Sequence, residues 1–354
     1  MRHCHLAIDL AQYKANLALI RHKIPPTTAM MAVVKANAYG LGSVPMATAA
    51  LDFGCAQLAV ANLGEAMVLR EAGLTAPILI LSEPIADTGA ALSAHHLAQV
   101  VYTPSFIEAL SHHPGPIEVH LKIDTGMGRI GCSPDDALAL TAQILSKPNL
   151  KLAGIMTHFS NADEPEDGHW RNQLDRFNQT LTAIQTHFGI RPLVHAANSD
   201  ATLNLAETHF DMVRIGIFAY ANGTTQLSAP IIHLKEVASG TPISYRKQFV
   251  TNEPVTIATI GCGYADGLPQ TLSPGGQVLI RDTRYPIVGR ICMDMFMVNL
   301  GQNPLKIARG DTAILWGKDQ QASISLDEVS QQTGLSRYEL LCAIDKPGTQ
   351  KNWV

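Results

Sequence analysis

The strongest constraint on this chain is an alternation. Across roughly its first 220 residues, short apolar runs at 32–34, 57–60, 78–81, 99–101, 118–123, 154–157, 193–196 and 212–215 are separated by polar turns and helix-like stretches. The helix-like stretches lie at 64–71, 105–110, 135–145, 170–188 and 201–206, and Ser133-Pro134-Asp135 reads as a helix start. Short apolar runs bounded by turn residues read as strands buried on both faces, and strands separated by helices run parallel. Eight such strands suit an α/β fold closed as a (β/α)8 TIM barrel. A doubly wound open sheet is the alternative the pattern leaves open. Ahead of them, residues 5–8 read as extended and Asp9 as a helix cap. Leu10, Tyr13, Leu17 and Ile20 form one helical face that Pro25-Pro26 ends.

The alternation stops at a polar, linker-like piece, 221–228. Strand-like segments then follow without helices between them, at 231–237, 255–260, 277–280, 287–291, 296–300 and 312–315, punctuated by Gly, Pro and Asn. A helix over 326–333 and a second from Arg337 close the chain. The expected class is α/β plus β, with a barrel domain over 1–225 and a mainly β-stranded domain over 226–354. The first residues are candidates to pair with the second domain. A length of 354 residues is comfortable for two domains.

Charge and composition limit the partners. A net charge of −4 and 6% aromatic residues give no basic field for nucleic acid. No apolar run approaches the ~20 residues of a membrane span, and the N-terminal M-R-H-C-H-L-A-I-D-L is too short in its apolar part for a signal peptide. The six cysteines are scattered without a C-x-x-C pair, so no metal site is expected, and free thiols point to a reducing cytoplasm.

One stretch then stands out. Residues 30–42 read M-M-A-V-V-K-A-N-A-Y-G-L-G, an apolar run ending in Lys35 with a Gly-bearing turn after it. A lysine half in the core loses hydration, which favours the neutral, nucleophilic amine. For V-V-K alone, a lysine reaching past the strand end is the plainer account. Tyr39, four residues on, sets the stretch apart. The residues past the other strands are also reactive types. H-L-K-I-D-T-G-M-G-R alternates His120, Lys122 and Asp124 on one face, which in a barrel lumen needs polar partners, and Arg129 follows on a flexible loop. M-T-H-F-S places His158, H-A-A-N-S-D places His195 and Ser199, and V-R-I-G-I places Arg214, Gly216 and Ile217. Taken singly, His158 reads more readily as a packing residue than as a catalyst, and Gly216 more readily as a turn. The loops after strands seven and eight are nevertheless the usual phosphate site of this fold.

The run 30–42 resembles the pyridoxal-phosphate (PLP) attachment segment of alanine racemases, A-V-V-K-A-N-A-Y-G-H-G, with Leu41 in place of the histidine, and the similarity covers nearly the whole chain. It implies that Lys35 is the Schiff-base lysine, and that Tyr39, Ser199, Gly216, Ile217 and Tyr264 hold the cofactor phosphate. It also implies that Arg214, partnered by His195, bonds the pyridine nitrogen, and that His158 stacks on the ring. Arg129 would contact the substrate carboxylate, and Lys122 would be a carbamylated lysine positioning it. In the second domain P-I-S-Y-R-K-Q-F makes Tyr245 the second acid–base residue. I-G-C-G-Y-A-D-G carries Tyr264, and G-R-I-C-M-D-M carries Met293, whose backbone N–H would meet the substrate carboxylate. The implied protein is an isomerase interconverting L- and D-alanine with two bases, Lys35 and Tyr245 of the partner subunit, in a homodimer with shared sites that supplies D-alanine for peptidoglycan. A racemase of other amino acids and a PLP-dependent decarboxylase are the alternatives. Two departures stand out. Arg246 replaces the family's small Gly, and D-K-P-G-T-Q-K-N-W-V offers Trp353 where the family closes on a tyrosine.

Overall fold

Eight parallel strands close on themselves in the computed structural model, which describes residues 4–354. The strand β1 (His5–Ile8) lies outside this ring. The ring is β2 (Ala29–Val33), β3 (Gln57–Val60), β4 (Ile78–Ile80), β5 (Leu97–Val101), β6 (Ile117–Lys122), β7 (Leu150–Met156), β8 (Leu193–His195) and β9 (Met212–Ile215). Each pairs with the next, and Met31 of β2 pairs with Arg214 of β9, which closes the barrel and excludes the open sheet. Every residue of β3, β4, β5 and β9 is buried, as two-sided cover by side chains requires.

Several strands start earlier than their apolar runs. In β6 and β7, Glu118 and Lys151 are exposed, paired in register and joined Nζ to Oε1 at 2.8 Å. A charged cross-strand pair is tolerated where the ladder meets solvent. The helix Leu10–Lys23 starts after Asp9, whose carboxylate accepts the Gln12 N–H at 2.8 Å. An unforeseen helix, Ser43–Phe53, buries Met46, Ala47, Ala49 and Ala50. Its run of small residues gives little amphipathic signal.

A nine-stranded sheet orders β18-β17-β14-β15-β16-β13-β10-β1-β19. Its strands are β10 (Thr225–Val237), β13 (Val255–Ile260), β14 (Gln277–Ile280), β15 (Thr283–Val288), β16 (Phe296–Asn299), β17 (Thr312–Lys318), β18 (Ser323–Ile324) and β19 (Gln350–Trp353), with β11 (Pro242–Ile243) and β12 (Phe249–Val250) as a separate hairpin. Half of the linker-like piece is therefore strand. Leu227 and Ser228 pair with Leu6 and His5 of β1, and with Trp316 and Ile314 of β17. The strand alternates buried Thr225 and Leu227 with half-buried Gln226 and Ser228, so polar side chains alternate outward. β1 also pairs in parallel with β19. The first three residues of the expected barrel domain lie outside the described residues. Two units emerge from the packing: Lys14–Ala38 with Gly42–Phe218, and the described residues up to Tyr13 with Tyr39–Leu41 and Ala219–Val354.

Candidate active site

In a closed parallel barrel all strand C-termini open on one face. Lys35 follows β2 there, and the backbone after it is unusual. Ala36, Asn37, Ala38 and Tyr39 all have φ between 51° and 56°. A left-handed turn of four non-glycine residues costs roughly 1–2 kcal/mol per residue, so its surroundings must impose it. They do so by hydrogen bonds: Ala38 N–H to Val34 O at 2.9 Å, Gly42 N–H to Asn37 O at 2.8 Å, Ser43 N–H to Asn37 Oδ1 at 2.8 Å, and Ala36 N–H to Glu65 Oε1 at 2.9 Å.

Arg214 is buried in the barrel and richly bonded. Nη1 reaches His195 Nδ1 at 3.1 Å and His195 O at 3.0 Å; Nη2 reaches Thr157 O at 2.9 Å, Ala196 O at 2.7 Å and His158 Nδ1 at 3.1 Å. A guanidinium only donates, so both imidazole Nδ1 atoms must accept. The His195 hydrogen is then on Nε2, which donates to His120 Nδ1 at 2.9 Å. Gly154 makes room for that ring, since a Cβ there would lie 2.4 Å from His120 Nδ1. Burial, reinforced by Arg214, holds His158 and His195 well below the ordinary imidazole pKa. Burial pulls His120 down to about 4. All three are therefore neutral at pH 7.

Lys122, at the end of β6, is buried, and its pKa falls to about 7 through burial and then the charges of Arg214 and Arg129, with Lys35 adding to them. Asp124 opposes these effects but does not share their face, contrary to the alternation in the sequence. β6 ends at Lys122, and the Asp124 carboxylate turns to accept the N–H groups of Gly126, Met127, Gly128 and Arg129 at 2.9–3.1 Å. Burial alone would raise this carboxyl, but those bonds outweigh it and keep the pKa low. Arg129 rides the loop so formed and is exposed. At the phosphate-type loops, Gly216 N–H donates to Ser199 Oγ at 2.9 Å, and Ile217 is buried.

The remaining candidates lie in the other unit. Tyr39 packs its ring on Tyr220 and Tyr338, with centroids 4.9 and 5.8 Å away, and burial raises its phenol well above the ordinary value. It stays a neutral donor. Tyr245, Tyr264 and Met293 sit on neighbouring loops: Ser244 Oγ donates to Arg290 O at 2.6 Å, Tyr264 N–H to Cys292 O at 3.1 Å and Ala265 N–H to Met293 O at 3.0 Å. Gly263 permits this approach, because a Cβ would lie 2.3 Å from Met293 O.

Comparison with known proteins finds one family along nearly the whole chain. The family description "Alanine racemase, N-terminal domain" matches residues 8–222, and "Alanine racemase, C-terminal domain" matches 224–351. The alanine racemase of Desulfovibrio desulfuricans is 36% identical over 96% of this chain and 95% of its own length. The crystal structure of the Streptomyces lavendulae alanine racemase superposes with a TM-score of 0.93 at 32% identity, covering 100% of this chain and 97% of that one. The Bacillus anthracis alanine racemase, solved with bound L-Ala-P, gives 0.91 at 34% identity, covering 100% and 95%.

The chain belongs to the alanine racemase family. It is an isomerase that interconverts L- and D-alanine with pyridoxal phosphate as cofactor.

The residues present fit that group. The charges of Arg214, Arg129 and Lys35 all bear on Lys122, while Asp124 is the carboxylate that opposes them there and already accepts four backbone N–H groups. Such a surplus of positive charge suits a phosphate and a substrate carboxylate. Among the described residues no acceptor takes the Arg214 Nε–H, which leaves one guanidinium donor for a ring nitrogen. Sequence reasoning missed His120 as the partner of His195. The two are 75 residues apart, and nothing in their spacing announces the contact.

Proposed function

We propose that catalysis uses two bases on opposite faces of the substrate Cα, Lys35 and Tyr245 of the partner subunit, in a cytoplasmic homodimer that supplies D-alanine for peptidoglycan. Pyridoxal phosphate, when bound, withdraws electrons from the substrate Cα–H bond. The chain does the rest. Lys35 Nζ holds the cofactor and, once released from it, takes or returns the proton on one face. The Tyr245 hydroxyl does the reverse on the other, which inverts the configuration. Arg129 and the Met293 N–H hold the substrate carboxylate. Tyr39, Ser199, Gly216, Ile217 and Tyr264 cradle the phosphate. Arg214, held by His195, would offer its Nε–H to the pyridine nitrogen without ceding a proton, and His158 would stack on the ring.

Lys122 is the supporting residue. As a neutral amine its nitrogen bonds to the carbon of CO2 and a proton leaves, which turns a buried, repelled cation into an anion that steadies Arg129. Burial among three cations favours that exchange.

The observation that carries the two-base reading is Tyr245 itself. It is 67% exposed in its own chain and stands on a turn whose neighbours Ser244 and Arg246 have φ of 64° and 59°, strain that glycine would avoid. A reactive hydroxyl so presented serves a site outside its own fold. The six cysteines are free thiols, which supports the cytoplasm, and no helix among the described residues is long and apolar enough to cross a membrane. The test is racemisation of L-alanine in D2O. Two bases give D-alanine carrying solvent deuterium while unreacted L-alanine keeps its protium at early times. Product that retains the substrate's own proton would mean one base.

A further inference from the structure

We infer that Glu65 is a positioning residue for the reaction: its carboxylate clamps the left-handed turn behind Lys35 and so fixes where the Lys35 amine stands. The inference rests on Lys35 being the cofactor-bearing base. Glu65 is the third residue of the helix Leu63–Glu71, whose N-cap Asn62 accepts the Glu65 N–H at 3.0 Å. A glutamate at that position ordinarily reaches back to the N–H of its own cap residue. The same chain shows this twice. Glu328 Oε1 accepts the Ser325 N–H at 3.0 Å, and Glu339 Oε2 accepts the Ser336 N–H at 2.8 Å. Glu65 does otherwise. Oε2 accepts the N–H of Ala61, the residue before its cap, at 2.8 Å, and Oε1 crosses to the N–H of Ala36 at 2.9 Å.

The Ala36 N–H belongs to the peptide that joins Ala36 to Lys35. Its orientation sets the direction in which the chain leaves Lys35 and enters four consecutive positive-φ residues. The last ladder bond between these strands is Val34 N–H to Ala59 O at 2.8 Å. The Glu65 carboxylate adds one more link beyond it, tying the loop after β2 to the loop after β3. Both oxygens are used, each by a backbone donor, so the link needs a carboxylate. A carboxamide would offer one oxygen and turn an NH2 against the other N–H.

The test uses the PLP-loaded enzyme and Glu65→Gln, with Glu328→Gln as a capping-box control in the other unit. Readouts are kcat, KM for alanine, thermal midpoint, and circular dichroism in the visible band of the bound cofactor. For Glu65→Gln, kcat should fall about tenfold, the worth of one charge-assisted hydrogen bond. KM should move less than about twofold, and the cofactor dichroism should shrink. Glu328→Gln should lower the midpoint and change neither. If Glu65→Gln behaves like Glu328→Gln, the clamp is only a helix cap and the inference is overturned. Should Glu65→Gln not fold, native-state hydrogen exchange on the unaltered enzyme decides. The Ala36 amide must be among the protected ones, and rapid exchange there overturns the clamp. Borohydride reduction of the unaltered enzyme keeps the two ideas apart. A pyridoxyl label away from Lys35 defeats the Lys35 reading itself, whereas a label on Lys35 with an unaffected Glu65→Gln defeats the clamp alone.

Discussion

The barrel mouth and the Tyr245 loops solve opposite problems. At the mouth, ionisable groups are buried and held by the backbone: Arg214 by three carbonyls and two imidazoles, Asp124 by four N–H groups, and the Lys35 turn by a ring of hydrogen bonds. On the other unit, Tyr245, Met293, Tyr264 and Met295 are 67, 52, 41 and 38% exposed. Large apolar side chains clustered on a surface mark a place that something covers. The first region is preorganised and its surplus of positive charge suits an anionic cofactor. The second is an unfinished surface, which the proposed homodimer completes.

The sharpest way to break this contrast is to remove the amine at the mouth. Lys35→Ala should lower racemisation by about a thousandfold or more, because a base and the cofactor anchor go together. Chiral analysis of alanine after long incubation checks this, and near-normal rates would move the chemistry elsewhere.

A moderate effect concerns pH. The folded chain holds Lys122 at about 7 against an ordinary 10.5. Between those values the unfolded chain binds more protons, so in CO2-free buffer stability should rise with pH across that window. His120 is held at about 4 against 6.5, so stability should fall as pH drops from 6.5 towards 4. Lys122→Met should flatten the alkaline limb and leave the acid limb in place. Denaturant midpoints across the range read both.

The smallest effect should come from the other unit. Trp353 Nε1 donates to Leu41 O at 2.8 Å, pinning β19 to the residues just after Tyr39. Trp353→Phe loses that bond and keeps a ring, so the cost should be about 1 kcal/mol, a few degrees in a thermal scan. A larger loss would mean that the C-terminal strand organises more of this unit than one bond implies.

The barrel was legible because strands covered on both faces leave unbroken apolar runs, and eight such runs appear. The start of β7 was not, since Lys151 looks like a loop residue until it is paired with Glu118 across the sheet. The residues proposed for the site were named through the family resemblance rather than through composition or periodicity. Asp124 misled: period-two alternation holds only while the strand lasts, and β6 stops at Lys122. The left-handed turn was hidden because, of Ala36, Asn37, Ala38 and Tyr39, only the asparagine favours positive φ. The bridge of Glu65 was hidden too, although N-x-x-E at 62–65 announces a capped helix. Thr225–Ser228 read as linker because a strand with alternating exposure is as polar as a loop.

The central claim is that the two bases come from different subunits. Lys35→Ala and Tyr245→Phe, each inactive alone, should be mixed under conditions that exchange subunits, with heterodimers verified by mass. A shared site leaves one site per mixed dimer with both native bases, so activity should return to up to about half that of the unaltered enzyme per heterodimer, which has two such sites. Heterodimers that form and stay inactive would contradict the account and place both bases within one chain.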